Sequence, residues 1–272
     1  MSDAPAKGAV ERVLSDLAAE HDALAALVAD IDESGWRTVT PADGWDVADS
    51  ISHLWFFDIR AALAIRNHED FARDTAELMA NFAGRAKESG DPSVDHGRAV
   101  SGAQLFADWR ADSAGLVATG RAADSSIRVP WYGPSMSLAS FLTARLMETW
   151  AHGVDVADAL GKRIVTSARL KHVCHIGFLA RPNSYRSRGL PVPEADIAVR
   201  LAAPDGSTWT WGNDDAAESI SGTALDFALL VTQRRHVDDT GLVANGTLAR
   251  EWTTIAQAFA GPAGPGRQPA SR

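Results

Sequence analysis

Two histidines and a glutamate carry the clearest chemistry in this sequence. Glu148 and His152 are four residues apart, about one helical turn, so both side chains project from one face. His53 sits in a second apolar-periodic stretch, among Ile51, Leu54, Trp55 and Phe56. Two helices of a bundle can aim such side chains at one interior point. Two imidazoles and one carboxylate make three ligands for a divalent metal, with positions left for water or a substrate atom. Arg145 and Asp155 lie three residues before Glu148 and three after His152, where either can hold a ligand in orientation. A Glu-x-x-x-His pair is common in helices, so a buried histidine beside a solvated Glu148 is the plainer alternative.

The other reactive residue types weigh less. Cys174 is the only cysteine, which excludes an intramolecular disulfide, a multi-cysteine zinc site and a C-x-x-C redox pair. It lies in His172-Val173-Cys174-His175 on an apolar helical stretch, where a buried structural thiol is expected. His172 and His175 form a weaker alternative metal pair, and His21, between Leu17 and Leu24, reads as a core or supporting histidine. Arg181, Arg186 and Arg188, and the run Arg234-Arg235-His236, are the basic clusters of an acidic chain. Solvated surface or salt bridging is their ordinary use. Arg235 is the arginine expected to contact a substrate carboxylate or phosphate through bidentate guanidinium bonds.

These residues need elements to position them. Apolar residues recur at three and four from about Ala6 to Ser34, which predicts a core-facing helix stopped by Gly35. Asp46 begins a second helix as its cap, reaching Asn67. A charged helical stretch covers Glu69 to Lys87, followed by a polar loop from Ser89 to His96. Another helix runs from Ser101 to Arg121, and Arg128–Pro134 is a connector. Ser137 caps a long helix, Leu138 to Leu160, that Gly161 stops. A further helix spans about Ser167 to Ala180. Arg181–Pro193, with three prolines, reads as a linker. Alternation at Ile197, Val199 and Leu201, the turn Pro204-Asp205-Gly206, and Trp209 and Trp211 on one face predict a hairpin. Helices near Ala224–Gln233 and Thr247–Phe259 would cover the sheet. The fold class is therefore α+β: a helical bundle over residues 1–180, a linker at 181–193, a small α+β domain at 194–262, and a disordered tail at 263–272.

Composition bounds the function. The chain has 272 residues, 46% of them hydrophobic, with 26 Lys+Arg against 35 Asp+Glu, giving a formal charge of −9. That is a globular composition. The acidic balance argues against sequence-independent nucleic-acid binding, which needs a clustered positive surface. No apolar run approaches the length of a membrane span, and the N-terminus lacks a signal pattern. A cytoplasmic protein acting on a small molecule is expected, and a homodimer is compatible with this surface.

The wording around the site narrows the reading. The stretch "GWDVADSISHLWFFD" (Gly44–Asp58), followed later by "RLMETWAHGVDVADALG" (Arg145–Gly161), resembles the DinB-like metalloenzymes, and more closely the mycothiol-dependent maleylpyruvate isomerase family. The resemblance implies that His53, Glu148 and His152 are the metal ligands and Trp45 a packing landmark. The stretch "VRLAAPDGSTWTWG" is similar to the second α+β domain of such proteins. The resemblance further implies mycothiol, or another low-molecular-weight thiol, as a cofactor. Metal coordination lowers a thiol's pKa and makes it a nucleophile at neutral pH. Thiolate addition to an activated double bond would permit cis–trans isomerisation, and displacement at carbon would give thiol transfer. Zinc is the default metal from availability and ligand type, with nickel, iron and manganese also suited to this donor set. Two alternatives stand beside this reading: a thiol-independent hydratase, lyase or hydrolase on an organic acid or acyl thioester, and a non-catalytic metal-binding protein.

Overall fold

The computed structural model describes residues 3–84 and 90–270. The chain divides into two units, Met1–Ile164 and Val165–Arg272.

The first unit is built from long helices whose ends follow from local chemistry. Helix α1 (Asp3–Val28) buries Val10, Val13, Leu14, Leu17 and Leu24 along one stripe. It ends earlier than Ser34. The Asp32 carboxylate accepts from the Gly35 amide at 2.8 Å and caps a separate turn, α2 (Glu33–Trp36), which buries Trp36. Helix α3 (Val47–Arg66) begins with a capping box, Asp46 accepting from the Asp49 amide while Asp49 accepts from the Asp46 amide. Such a cap is worth about 1 kcal/mol. Helix α4 (His68–Gly84) follows; its expected end at Lys87, and the start of the next loop at Ser89, lie outside the described residues.

The expected polar loop is partly structured. Asp91 caps a 3₁₀ turn, Pro92–Val94, which runs into α5 (Asp95–Ala99). Next come α6 (Gly102–Ala122), capped by Ser101, and α7 (Leu138–Ala159), capped by Ser137. The connector between them holds a small antiparallel pair, β1 (Arg128–Val129) with β2 (Met136–Ser137). Gly161, at φ +62°, takes the left-handed conformation just beyond α7 that a side chain would resist. In the bundle α1 packs on α6 and α7, and α3 packs on α6 and α7. The helices carrying His53 and Glu148/His152 are thus neighbours.

The second unit starts earlier than residue 194. Helix α8 (Leu170–Leu179), expected within the bundle domain, packs on α10 (Ala224–Val231). Its apolar face makes that choice. Gly177 lies so close to Val231 that a Cβ would sit 2.5 Å from Cγ2, and the Cys174 Sγ is 3.4 Å from the Ala224 carbonyl. The segment read as a linker also differs. Arg181–Arg186 forms a short helix, α9, with Pro182 in its first turn, where a missing N–H costs nothing. Its Ser184 and Tyr185 are buried, and the Gln257 amide donates to Ser184 Oγ at 3.1 Å.

The sheet has the order β4-β3-β5-β6. Strands β3 (Ile197–Ala202) and β4 (Thr208–Trp211) form the expected hairpin, with Leu201 opposite Trp209. Strand β5 (Glu218–Thr223) runs parallel to β3, and β6 (Val243–Asn245) antiparallel to β5. Helices α10 and α11 (Thr247–Ile255) pack against the sheet. The α+β class is as the sequence predicts. The tail is not the disordered segment expected. Over 263–270 it is irregular chain tied down by Arg188 Nη2 on the Gly264 carbonyl at 3.2 Å, and by the Ala270 amide on Asp239 Oδ2 at 2.9 Å. Ser271 and Arg272 lie outside the described residues. No helix among those described is long and apolar enough to cross a membrane.

Candidate metal centre

His53 leaves α3 about two turns past its cap Asp46, and Glu148 and His152 leave α7 one turn apart. One ligand atom from each of the three lies within 4.8 Å of the others. His152 Nε2 is 3.7 Å from Glu148 Oε2, and the two imidazole centroids are 4.8 Å apart. His152 is buried, while His53 and Glu148 are half-buried. The face is therefore closed beneath and reachable from one side.

The far nitrogen of each ring has an oxygen facing it. His53 Nδ1 is 2.9 Å from Ser93 Oγ. His152 Nδ1 is 3.4 Å from the fully buried Asp155 Oδ2, long for a hydrogen bond but facing it. A proton on each Nδ1, donated toward those oxygens, leaves the Nε2 lone pairs as the ligating ones, which is how metal-binding imidazoles are oriented. Two oriented imidazoles and a carboxylate fit a divalent ion such as zinc. The Trp45 indole closes one side, stacked on His152 at 5.6 Å and 18° and lying 5.1 Å from His53. On the other side His53 meets Phe57 at 4.7 Å, which leads to Trp131 and Tyr132 at 6.1 and 5.9 Å. Burial pushes the Tyr132 phenol pKa up to about 12, so the hydroxyl keeps its proton at neutral pH and can donate a hydrogen bond.

Ser93 is the site residue that sequence reading passed over, and its placement has a traceable cause. Ser52, beside His53, donates to the Ser93 carbonyl at 2.8 Å and accepts from the Gly97 amide at 3.0 Å. Arg98 grips the Asp49 carboxylate with two bonds, 2.9 and 2.8 Å. The loop is thereby clamped onto the start of α3. A capped Asp91-Pro92-Ser93 turn was its only local signal.

Arg145 and Asp155 divide the roles offered to them. Asp155 stands behind His152. Arg145 instead points at Asp58 of α3, with Nε and Nη2 3.2 and 2.9 Å from Oδ1, both residues fully or nearly buried. His21 Nε2 lies 3.6 Å from the other oxygen of Asp58, and burial lowers the His21 pKa. His21 is thus a buried neutral histidine.

The remaining candidates lie elsewhere. Cys174 is fully buried, and burial pushes its thiol pKa far up, the state of a structural cysteine. His175 Nδ1 accepts from the Trp211 indole at 3.2 Å, and the only cluster of three or more metal-ligating side chains among the described residues is that of His53, Glu148 and His152. His96 stacks on Trp55 at 4.1 Å and faces Asp108 at 2.9 Å. Arg235 belongs to the C-terminal unit, half-buried, with Nη1 donating to the Arg234 carbonyl at 2.7 Å.

Comparison with known proteins places this architecture. Two uncharacterized proteins from two strains of Mycobacterium tuberculosis are each 43% identical over 260 residues, 93% of this chain and 97% of theirs. Two solved structures, the mycothiol-dependent maleylpyruvate isomerase and a mutant of it, superpose with a TM-score of 0.58 over 86% of this chain and 92% of theirs. They are 15% identical in sequence, so the likeness is one of fold. The family model of the mycothiol maleylpyruvate isomerase N-terminal domain matches residues 17–157, just over half the chain and a span holding His53, Glu148 and His152. On that match the chain belongs to the mycothiol maleylpyruvate isomerase family.

Proposed function

We propose that this chain is a metal-dependent enzyme that uses a low-molecular-weight thiol, of the mycothiol kind, to isomerise or transfer onto a small anionic substrate. The convergence of His53, Glu148 and His152 within 4.8 Å carries the reading, and family membership supports the thiol and the isomerase class. A bound divalent ion, zinc by default, would supply charge that lowers the pKa of a coordinated thiol. The chain's own residues do the rest. Ser93 and Asp155 hold the imidazoles with Nε2 forward. Trp45 shields the ligands from water on one side, raising the strength of every charge interaction there. Phe57, Trp131 and Tyr132 form an aromatic cluster beside His53, packed edge to face, an apolar wall for the carbon skeleton of a substrate. The chain offers no accessible thiol of its own, since Cys174 is buried, so the nucleophilic sulfur comes from the cofactor.

Elemental analysis of the wild type beside His53→Ala and His152→Ala tests the metal, and maleylpyruvate isomerisation with mycothiol, another thiol or none tests the chemistry. The expected result is near one metal per chain, lost in both variants, with turnover that needs both metal and thiol and survives Cys174→Ser. Full metal occupancy in His152→Ala would sink the ligand set. Turnover on organic acids or acyl thioesters without thiol would replace the thiol enzyme with a hydratase, lyase or hydrolase. Metal without turnover leaves a binding protein.

A further inference from the structure

Trp45 stands immediately before Asp46, the cap of α3. An apolar residue at that place ordinarily packs back onto the fourth residue of the helix. Here the fourth residue is Ser50, whose hydroxyl donates to the Asp46 carbonyl at 3.3 Å. With no apolar partner in the first turn, the half-buried indole reaches further. It meets His53, about two turns along α3, at 5.1 Å between ring centroids, and His152 on α7 at 5.6 Å and 18°. One side chain thus faces both imidazoles of the candidate metal centre.

The backbone fixes this residue without help from the imidazoles. Thr40 donates to the Trp45 carbonyl twice, through its amide at 2.8 Å and its hydroxyl at 3.0 Å, and the Trp45 amide donates to the Ala42 carbonyl at 3.1 Å. Val39 and Asp46 pair as an antiparallel bridge. Gly44, at φ +73°, makes the tight turn between them, in a conformation that a side chain would resist. On its other side Trp45 runs straight into the Asp46–Asp49 capping box. The indole is therefore presented by a short hairpin and a helix cap, both set by the chain alone.

The face of an indole carries the negative end of the ring quadrupole. An imidazole that gives its lone pair to a divalent ion loses electron density and takes on positive character. Its near-parallel contact with an indole is then stronger than in the metal-free protein, and only such a difference between two states changes an affinity. We propose that Trp45 is a positioning residue that favours the metal-loaded state of the centre, its indole serving as an electrostatic platform for His152 while it wedges His53 from the side. The inference rests on the ligand set of His53, Glu148 and His152, and adds to it a residue that supplies no ligand atom.

Zinc affinity of the full chain, measured by competition against a chromophoric chelator, tests the proposal. Affinity should fall by about tenfold in Trp45→Leu, and by less in Trp45→Phe, which keeps a smaller π face. Melting of the metal-free variants separates packing from affinity, because a contact equal in both states lowers the melts and leaves zinc binding alone. Zinc should also change the tryptophan emission of the wild type, and most of that change should vanish in Trp45→Phe. If Trp45→Leu does not fold, Trp45→Met takes its place. Wild-type zinc affinity in the folded aliphatic variant, equal weakening in the aliphatic and Phe variants, or an emission change that survives in Trp45→Phe would each overturn the assignment. His152→Ala tells this failure from that of the ligand set. If it binds zinc as the wild type does, the ligand set falls and the platform with it; if it loses zinc while Trp45→Leu keeps full affinity, only the role of Trp45 falls.

Discussion

Ser93 is the smallest group on which the candidate metal centre depends. Its hydroxyl lies 2.9 Å from His53 Nδ1 and selects which ring nitrogen carries the proton. Without it the imidazole can rotate or take the other tautomer, and the Nε2 lone pair is no longer held forward. Ser93→Ala should therefore weaken metal affinity by about tenfold, the lower end of the range for such supporting partners, while the protein still folds. Competition against a chromophoric chelator measures it, and rescue by Ser93→Thr separates loss of the hydroxyl from loss of packing. Unchanged affinity in Ser93→Ala would mean that His53 is oriented by packing against Trp45 and Phe57 alone. The ligand set was readable because Glu148 and His152 share a helix and their spacing says so. Ser93 was not, because its link to His53 spans forty positions and runs through Ser52, Gly97 and the Arg98–Asp49 pair. None of those has a spacing rule.

Between elements, the Arg145–Asp58 pair couples α7 to α3, the two helices that carry the ligands. It lies in the bundle interior, with side-chain exposures of 5% and 0%. Charges are seldom left there, because desolvation offsets much of their attraction. Removing one member is a different matter. Asp58→Asn strands a buried guanidinium and should cost about 3–5 kcal/mol, seen as a lowered urea midpoint. The double variant Asp58→Leu/Arg145→Met, apolar and similar in bulk, should recover most of that loss. Equal stability for wild type and Asp58→Asn would show that water or another group already neutralises Arg145. The same scale explains which unit α8 joins. Helix α8 is amphipathic in a way that suits either unit; its apolar face meets α10, where Gly177 admits Val231 and Cys174 reaches the Ala224 carbonyl. A glycine in a helix announces close approach without naming the partner. Likewise Pro182 began α9 rather than forbidding it, since a proline in the first turn gives up no hydrogen bond.

For the whole molecule, buried titratable groups set how stability varies with pH. Burial lowers the His21 pKa below its usual 6.5, and burial with nearby His172 and Lys171 lowers that of His175. In the unfolded chain both return to the usual value. On acidification through that value the unfolded state takes up protons that the folded state refuses, so stability falls as pH falls. The decline begins near the unfolded pKa and levels off once pH drops below the folded one, where both states are protonated. Thermal melts of the metal-free protein from about pH 7.5 to about pH 5.5 should show a falling midpoint. In His21→Gln, which cannot titrate, the decline should be shallower, whatever the substitution does to the midpoint at neutral pH. The slope carries the information, because a packing defect at position 21 lowers all melts alike, whereas a proton refused by the folded bundle changes only their dependence on pH. Parallel curves would mean that folding leaves the His21 pKa unshifted, and a steeper decline in His21→Gln would mean that the fold raises it and holds the proton. The 3.6 Å approach to Asp58 would then be an ion pair strong enough to outweigh its burial.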